Sequence, residues 1–334
     1  MKIIITIIIS FLSLFVQAND PIKERKQLLD QIFEILETNI ANPAWLEEDA
    51  YVKFKNTLYS EKVLHLSEEK FIALFKQQRH TLPFSHFDLR FPQGAPGGEA
   101  DSDQTNTAEK QEVLTWKAID EHTAYLDVNT FVTDAAPMIK AVQEIGIDRY
   151  ENLIIDLRGN GGGSLDAPVV LGQFLTDKPM DAGVYLTRKW FEREGRQATH
   201  EDIAKMPFLQ DMTYQGIGKM FAEEAAFRMV LPGHNRPIFK GKVYVLIDGA
   251  TGSACEPLVD LFKKEKIGTL VGEKTFGGML SGKTFPLNEK IKVFLPIADF
   301  QTATGERIDK VGVSPDIRVL ADDALDYVLE NLIK

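Results

Sequence analysis

Residues 153–163 read Leu-Ile-Ile-Asp-Leu-Arg-Gly-Asn-Gly-Gly-Gly, and this order of residues restricts the fold more than any other stretch of the chain. Leu153, Ile154, Ile155 and Leu157 form a short apolar run that predicts a buried strand. Asp156 and Arg158 close it, followed by Gly161, Gly162 and Gly163. One glycine suffices to turn a chain. Three in succession let the backbone approach a neighbour closely and aim N–H groups at it. Ser164 and Leu165 then open an apolar stretch through Leu175 that predicts a helix, with Pro168 tolerated in its first turn. Strand, glycine turn and helix N-terminus together suit an anion, although a sharp strand-to-helix turn explains the same residues. The spacing of a nucleotide-binding Walker loop is missing, and so is the spaced glycine pattern of a dinucleotide fold.

A second strand-to-helix junction follows. Residues 242–247 (Lys-Val-Tyr-Val-Leu-Ile) predict a strand, Asp248 to Gly252 a turn of small residues, and the stretch from Ser253 a helix. Leu258, Val259, Leu261 and Phe262 recur at helical spacing, and Lys263, Lys264 and Lys266 end the stretch where the helix dipole favours positive charge. Ser253 thus occupies the position a nucleophilic serine needs, with the N–H of Ala254 available to a developing oxyanion. The competing reading makes Ser253 a helix N-cap, with Glu256 completing a capping box.

The two junctions together resemble the C-terminal processing peptidase family, the tail-specific proteases, including the core of tricorn protease. The family's glycine turn follows an Ile-Ile-Asp-Leu-Arg strand, and its nucleophile lies in Ser-Ala-Ser-Glu; here the residues are Ser253-Ala254-Cys255-Glu256. Two further blocks match in order: Val271-Gly272-Glu273-Lys274-Thr275-Phe276-Gly277-Gly278 and Gly312-Val313-Ser314-Pro315-Asp316. The resemblance covers residues 150–320 and implies an α/β fold, a Clp protease/crotonase-like core sheet with helices, preceded by a small N-terminal helical domain. It implies a serine-type peptidase acting on peptide or protein substrates. The branch that uses a Ser–Lys dyad carries its lysine where this chain has Gly278. Lys274 and Lys283 do not occupy that place, and a lysine base would need strong desolvation to lower its pKa.

A second branch uses serine, histidine and an acid. Of the six histidines, His65 and His80 lie in charged helical surroundings, and His200 and His234 lie between the two junctions. His122 stands beside a strand start. His86, in the strand-like apolar run Leu82–Leu89, matches the place of that branch's base, with Ser85 before it and Asp88 after it where the branch has Asp-x-His. The unperturbed pKa near 6.5 suits a general base. The resemblance puts the acid three residues before the glycine of Gly-Val-x-Pro-Asp, at Asp309, with Glu306 as the fallback. Gly161, Gly162 and Ala254 are then the candidate oxyanion donors.

Lys2 followed by the apolar run Ile3–Val16 and by Ala18 predicts an export signal over 1–18, and hence a secreted, periplasmic protein without a stable membrane span after cleavage. The single cysteine, Cys255, excludes an intrachain disulfide and is the rival nucleophile. The net charge of −11 argues against nucleic acid as a partner. No metal-ligand cluster or cofactor is expected.

Apolar stripes at Ile22, Leu28, Leu29, Ile32, Phe33, Ile35 and Leu36, and at Phe71, Ile72, Leu74 and Phe75, predict helices within an N-terminal region over 19–91. Residues 92–112 predict a flexible linker and 113–334 the core. Residues 182–236 form an insertion that could serve as lid, homo-oligomer contact or additional core. No room remains for the PDZ domain many processing peptidases carry between helices and core. A silent binding protein, as in interphotoreceptor retinoid-binding modules, and a small-substrate esterase or amidase stay open beside the peptidase.

Overall fold

The computed structural model describes residues 20–91 and 112–333. The predicted export signal and almost all of the 92–112 linker lie outside the described residues.

Helices α1 (Pro21–Asn39), α2 (Asp49–Leu58), α3 (Glu61–Leu64) and α4 (Glu68–Gln78) form the N-terminal region. The two predicted stripes point inward: Leu29, Ile32, Phe33 and Leu36 are buried in α1, and Phe71, Ile72 and Phe75 in α4. A short strand β1 (Asp88–Arg90) leads away from them. The 82–89 run, read from sequence as strand throughout, is strand only at its end. His86 precedes β1 with φ 60°, a conformation that no pleated strand accommodates.

The core sheet contains β2 (Leu114–Ala118), β3 (Thr123–Val128), β4 (Asn152–Asp156), β7 (Lys242–Ile247), β8 (Thr269–Gly272) and β11 (Ile317–Arg318), in the order β11-β8-β7-β4-β3-β2. From β3 to β11 the pairs are parallel, and β2 joins antiparallel. Helices α5 (Ala136–Ile145), α6 (Asp166–Leu175) and α10 (Cys255–Lys264) follow β3, β4 and β7. Strand β4 is buried at every position because it is central and covered on both faces.

A second, antiparallel sheet joins β1, β10 (Lys292–Gln301), β5 (Met180–Thr187) and β6 (Ala226–Leu231), with β9 (Ser281–Pro286) also on β10. Val293 and Leu295 of β10 share one core with Phe54 and Phe75 of the N-terminal helices and with Phe84 and Phe87 of the segment before β1. Between β5 and β6 run α7 (Arg188–Glu194), α8 (His200–Lys205) and α9 (Tyr214–Glu223). Trp190, Phe191, Ile203 and Met206 bury against Val184 and Leu186, a satellite core of this excursion. Helix α11 (Ala324–Tyr327) runs on into a wider helical turn over Val328–Leu332, and Ala324 and Val328 pack under Ile154 and Leu246. Among the described residues no helix is long and apolar enough to cross a membrane.

Candidate active site

Strands β4 and β7 are parallel neighbours, so the turns that leave their C-terminal ends lie side by side. Hydrogen bonds stitch the two turns together. Gly252 N–H donates to the Asn160 carbonyl (2.9 Å), Thr251 Oγ donates to the Leu157 carbonyl (2.8 Å), and Gly159 N–H donates to Asp248 (3.1 Å). Asn160, fully buried, donates from Nδ2 to the Val128 carbonyl (2.9 Å) and accepts the Gly162 N–H at Oδ1 (2.9 Å). Gly162 is packed against the second turn. A methyl group there would meet the Ser253 Cβ at 2.7 Å and the Ala254 nitrogen at 2.8 Å, and φ is +97°. This is the physical reason for the central glycine of the triplet. Gly163 is equally constrained, since its added carbon would fall 2.1 Å from the Phe131 carbonyl carbon.

Ser253 takes φ 53°, and the helix begins after it, with Ala254 at the cap position. The capping-box reading is half realised. Glu256 accepts the Ser253 N–H (3.1 Å), but no side chain caps α10, so the Ser253 hydroxyl is not spent on the helix. The Ala254 and Gly161 N–H groups make no hydrogen bond among the described residues, while Gly162 spends its own on Asn160. Of the three expected oxyanion donors, Gly162 thus has its N–H engaged and gives the turn its shape and close approach, while the N–H groups of Gly161 and Ala254 have no partner among the described residues. Cys255 is fully buried and bonded to the Asn160 carbonyl, and burial raises its thiol pKa, so it is no nucleophile.

Glu256, fully buried, accepts Thr275 Oγ (2.7 Å), Gly277 N–H (2.7 Å) and Gly278 N–H (2.8 Å) as well as Ser253 N–H. Burial raises its pKa and these donors oppose the rise. One carboxylate thereby ties the serine turn to the Thr275–Gly278 loop. Sequence spacing offered only the capping-box part of this role.

That loop leads to His86. A methyl group on Gly278 would lie 3.9 Å from the His86 Cε1 but 2.6 Å from the Phe276 ring. Phe276 also borders Gly252, so its exposed ring touches the surroundings of both the serine and the histidine. Among the described residues no hydrogen bond joins His86 to Ser253. The His86 ring packs on Phe294 (centroids 5.6 Å), and burial, assisted by Arg90, pushes its pKa down to about 4.

Asp309 does not touch His86 directly. Its Oδ1 accepts Ser85 Oγ–H (2.5 Å) and its Oδ2 accepts Ser85 N–H (3.1 Å), while Ser85 Oγ lies 2.6 Å from His86 Nδ1. Ser85 is the residue the sequence reading passed over; its one signal was a hydroxyl beside the histidine where Asp-x-His was sought. A hydroxyl has one proton. If Ser85 donates it to Asp309, it must accept at His86, which puts the proton on Nδ1 and leaves Nε2 with a free lone pair. Burial pushes Asp309 up to about 6, against the opposing pull of Ser85 and Arg307. Glu306, the fallback acid, is exposed and paired with Lys264 (2.6 Å), which lowers its pKa, and among the described residues it makes no hydrogen bond to Ser85 or His86. Lys274 and Lys283 are exposed. Lys283 lies over the Phe285 ring.

Beside Ala254 lies an apolar cavity of about 40 Å³, lined among others by Leu165, Val169, Met212, Met229, Pro257 and Leu258. Met212 comes from the β5–β6 excursion, so that segment is partly core and partly cavity wall. Among the described residues no His/Cys/Asp/Glu group is arranged to hold a metal ion.

The profile of Peptidase family S41 matches residues 122–319, more than half of the chain. The carboxyl-terminal-processing protease of Picosynechococcus sp. is 26% identical over 213 residues, 63% of this chain and 42% of that protein. The chloroplastic C-terminal processing peptidase of Tetradesmus obliquus is 26% identical over 218 residues, covering 65% and 39%. The chain thus spans about two fifths of the length of these curated relatives. Among solved structures, a lipoprotein from Streptococcus agalactiae superposes with TM-score 0.56 at 14% identity over 96% of this chain and 100% of that one. At that identity the likeness concerns the fold alone.

Proposed function

The chain belongs to peptidase family S41, and on that premise we propose that it is an exported serine peptidase with Ser253 as nucleophile and His86 as general base. Ser85 and Asp309 orient the imidazole, and the Ala254 and Gly161 N–H groups receive the oxyanion. The observation that carries this reading is the Ser253 turn itself. The hydroxyl sits on a left-handed residue, uncommitted to the helix, against a glycine turn in which Gly162 leaves no room for a side chain.

Ser253 Oγ attacks the scissile carbonyl carbon while His86 Nε2 takes its proton. The carbonyl oxygen becomes negative and accepts from Ala254 and Gly161; the imidazolium then protonates the leaving amine, and water repeats the cycle on the acyl-serine. Apo hydrogen bonds between base and nucleophile are often absent and tighten with substrate. The cavity next to Ala254 accepts a small aliphatic side chain from the residue that supplies the scissile carbonyl. Gly278 supports histidine over lysine as base, because the space where a side chain would start is already filled by Phe276 and faces His86.

The test is labelling of the purified protein with a fluorophosphonate, mapping of the modified residue, and hydrolysis of a peptide library read by mass spectrometry. Modification of Ser253 with peptide cleavage is expected. Labelling at Cys255, or cleavage that survives Ser253→Ala, refutes the assignment. N-terminal sequencing of the exported protein tests processing after Ala18.

A further inference from the structure

Behind the relay, Arg307 and Asp299 do not enter the chemistry above. Asp299 on β10 and Asp309 are both fully buried, and between them lies Arg307. Its Nη2 donates to Asp309 Oδ2 (3.3 Å) and its Nε is 3.7 Å from Asp299 Oδ1, too long for a hydrogen bond. The guanidinium rests over the Trp45 ring, 4.9 Å from its centroid, between the N-terminal helices and β10. Asp299 is held in turn. Its Oδ1 accepts Phe300 N–H (2.9 Å) and its Oδ2 accepts Gln197 Nε2 (3.1 Å), from the loop between α7 and α8. Next to that contact Ala198 N–H donates to Gln301 Oε1 (3.1 Å).

We propose that Arg307 is a positioning residue for this reaction: it pins the Asp309 carboxylate onto Ser85, and Asp299, anchored by Gln197, competes with Asp309 for that one cation. The inference rests on the Ser253–His86–Ser85–Asp309 reading. Two buried carboxylates this close cannot both stay ionised without a cation between them. Arg307 supplies it, and its planar fork on an aromatic face is a fixed rather than a wandering charge. The other groups that face Asp309 are Ser85 with His86 beyond it, and Lys310, whose pKa burial lowers and which Asp309 raises. Asp299 is itself raised by burial, with Arg307 and Gln197 opposing.

Protonation of Asp309 frees Ser85 to turn its hydroxyl toward His86 Nδ1. The imidazole then carries its proton on Nε2 and cannot accept one from Ser253. Arg307 thus sets the pH below which the base is in the wrong tautomer, and Asp299 sets it in the opposite sense. A residue that merely packed would move stability but not this midpoint.

The experiment has two readouts on the full-length chain. One is the acid midpoint of kcat/KM on a cleaved peptide. The other is the titration of the Asp309 carboxyl carbon by NMR in the Ser253→Ala background, which needs no turnover. Arg307→Met is expected to raise both midpoints by about one pH unit or more. Asp299→Asn is expected to lower them, and Arg307→Lys to return them most of the way. Gln197→Leu, a milder change in the loop, is expected to follow Asp299→Asn in direction, because an Asp299 left without its donor protonates more readily and leaves Arg307 to Asp309. Shifts in one common direction for Arg307→Met and Asp299→Asn, or none in either readout, overturn the proposal. If Arg307→Met fails to fold, Asp299→Asn and Gln197→Leu decide it: midpoints that fall in both support the proposal, and midpoints that do not fall overturn it. NMR shifts as expected in a chain that cleaves no peptide would support the Arg307 assignment and refute the peptidase reading instead.

Discussion

At the scale of residues, the Ser85 bridge of the proposed mechanism changes what should limit activity at low pH. A histidine base alone would place the acid limb near its ordinary pKa of about 6.5. Here His86 is pushed down to about 4 and Asp309 up to about 6, so the imidazole is neutral over the range where the carboxylate titrates. Activity should therefore fall as pH drops through about 6, and Asp309→Asn should show no such limb at its residual rate. Ser85→Ala should lower kcat roughly 10²–10³-fold by removing the bridge that selects the Nε2 lone pair, with KM little changed. Full activity in Ser85→Ala would disprove the bridge.

The stability sign follows from the same shift. Asp309 binds its proton more tightly folded than unfolded, so it contributes less stability as pH rises from about 4 to about 6. Across that window the unfolding free energy of Asp309→Asn should gain on wild type by on the order of 2 kcal/mol, measured by urea titration at each pH.

Among the elements, the two β-to-α turns work as one unit because β4 and β7 are adjacent. Gly162→Ala should abolish activity and lower Tm, since its methyl group cannot avoid the Ser253 Cβ and the φ of +97° is strained for any side chain. Glu256→Ala should be worse for stability. It strands buried N–H groups of Gly277 and Gly278, along with the Thr275 hydroxyl, at a cost of about 3 kcal/mol or more. A Glu256→Ala protein with unchanged Tm and activity would show that the loop is held by other contacts. For the cavity, Val169→Phe should cut kcat/KM for peptides with a branched aliphatic side chain by roughly tenfold or more, while a glycine-containing peptide loses little.

For the molecule as a whole, the N-terminal helices are part of the fold rather than an appendage, because they share one core with the second sheet. The N-terminal region buries the face of the second sheet that carries Val293 and Leu295, supplies Trp45 under Arg307, and leads into the segment before β1 that carries Ser85 and His86. Phe54→Ala should destabilise the whole chain by about 3–5 kcal/mol in one cooperative transition. A separate early melting step for the helices would contradict a shared core.

Much of this was legible in residue order. The apolar runs at 153–157 and 242–247, the glycine triplet, the stripes of α1 and α4, and the position of Ser253 all depend on neighbours within one strand or a few helical turns, where periodicity and turn chemistry act. Asp309 was reachable only through resemblance. What tertiary structure alone decided is everything that pairs residues far apart. Ser85 and Asp309 are separated by 224 positions, and no local pattern marks a serine as the bridge between a histidine and an acid. The same holds for Glu256, whose partners lie about 20 residues on in a loop that only closes in space, and for the pairing of Glu306 with Lys264. The left-handed backbone of Ser253 and His86 is likewise imposed from outside, because the packing of two turns and two sheets holds these residues where local preference would not.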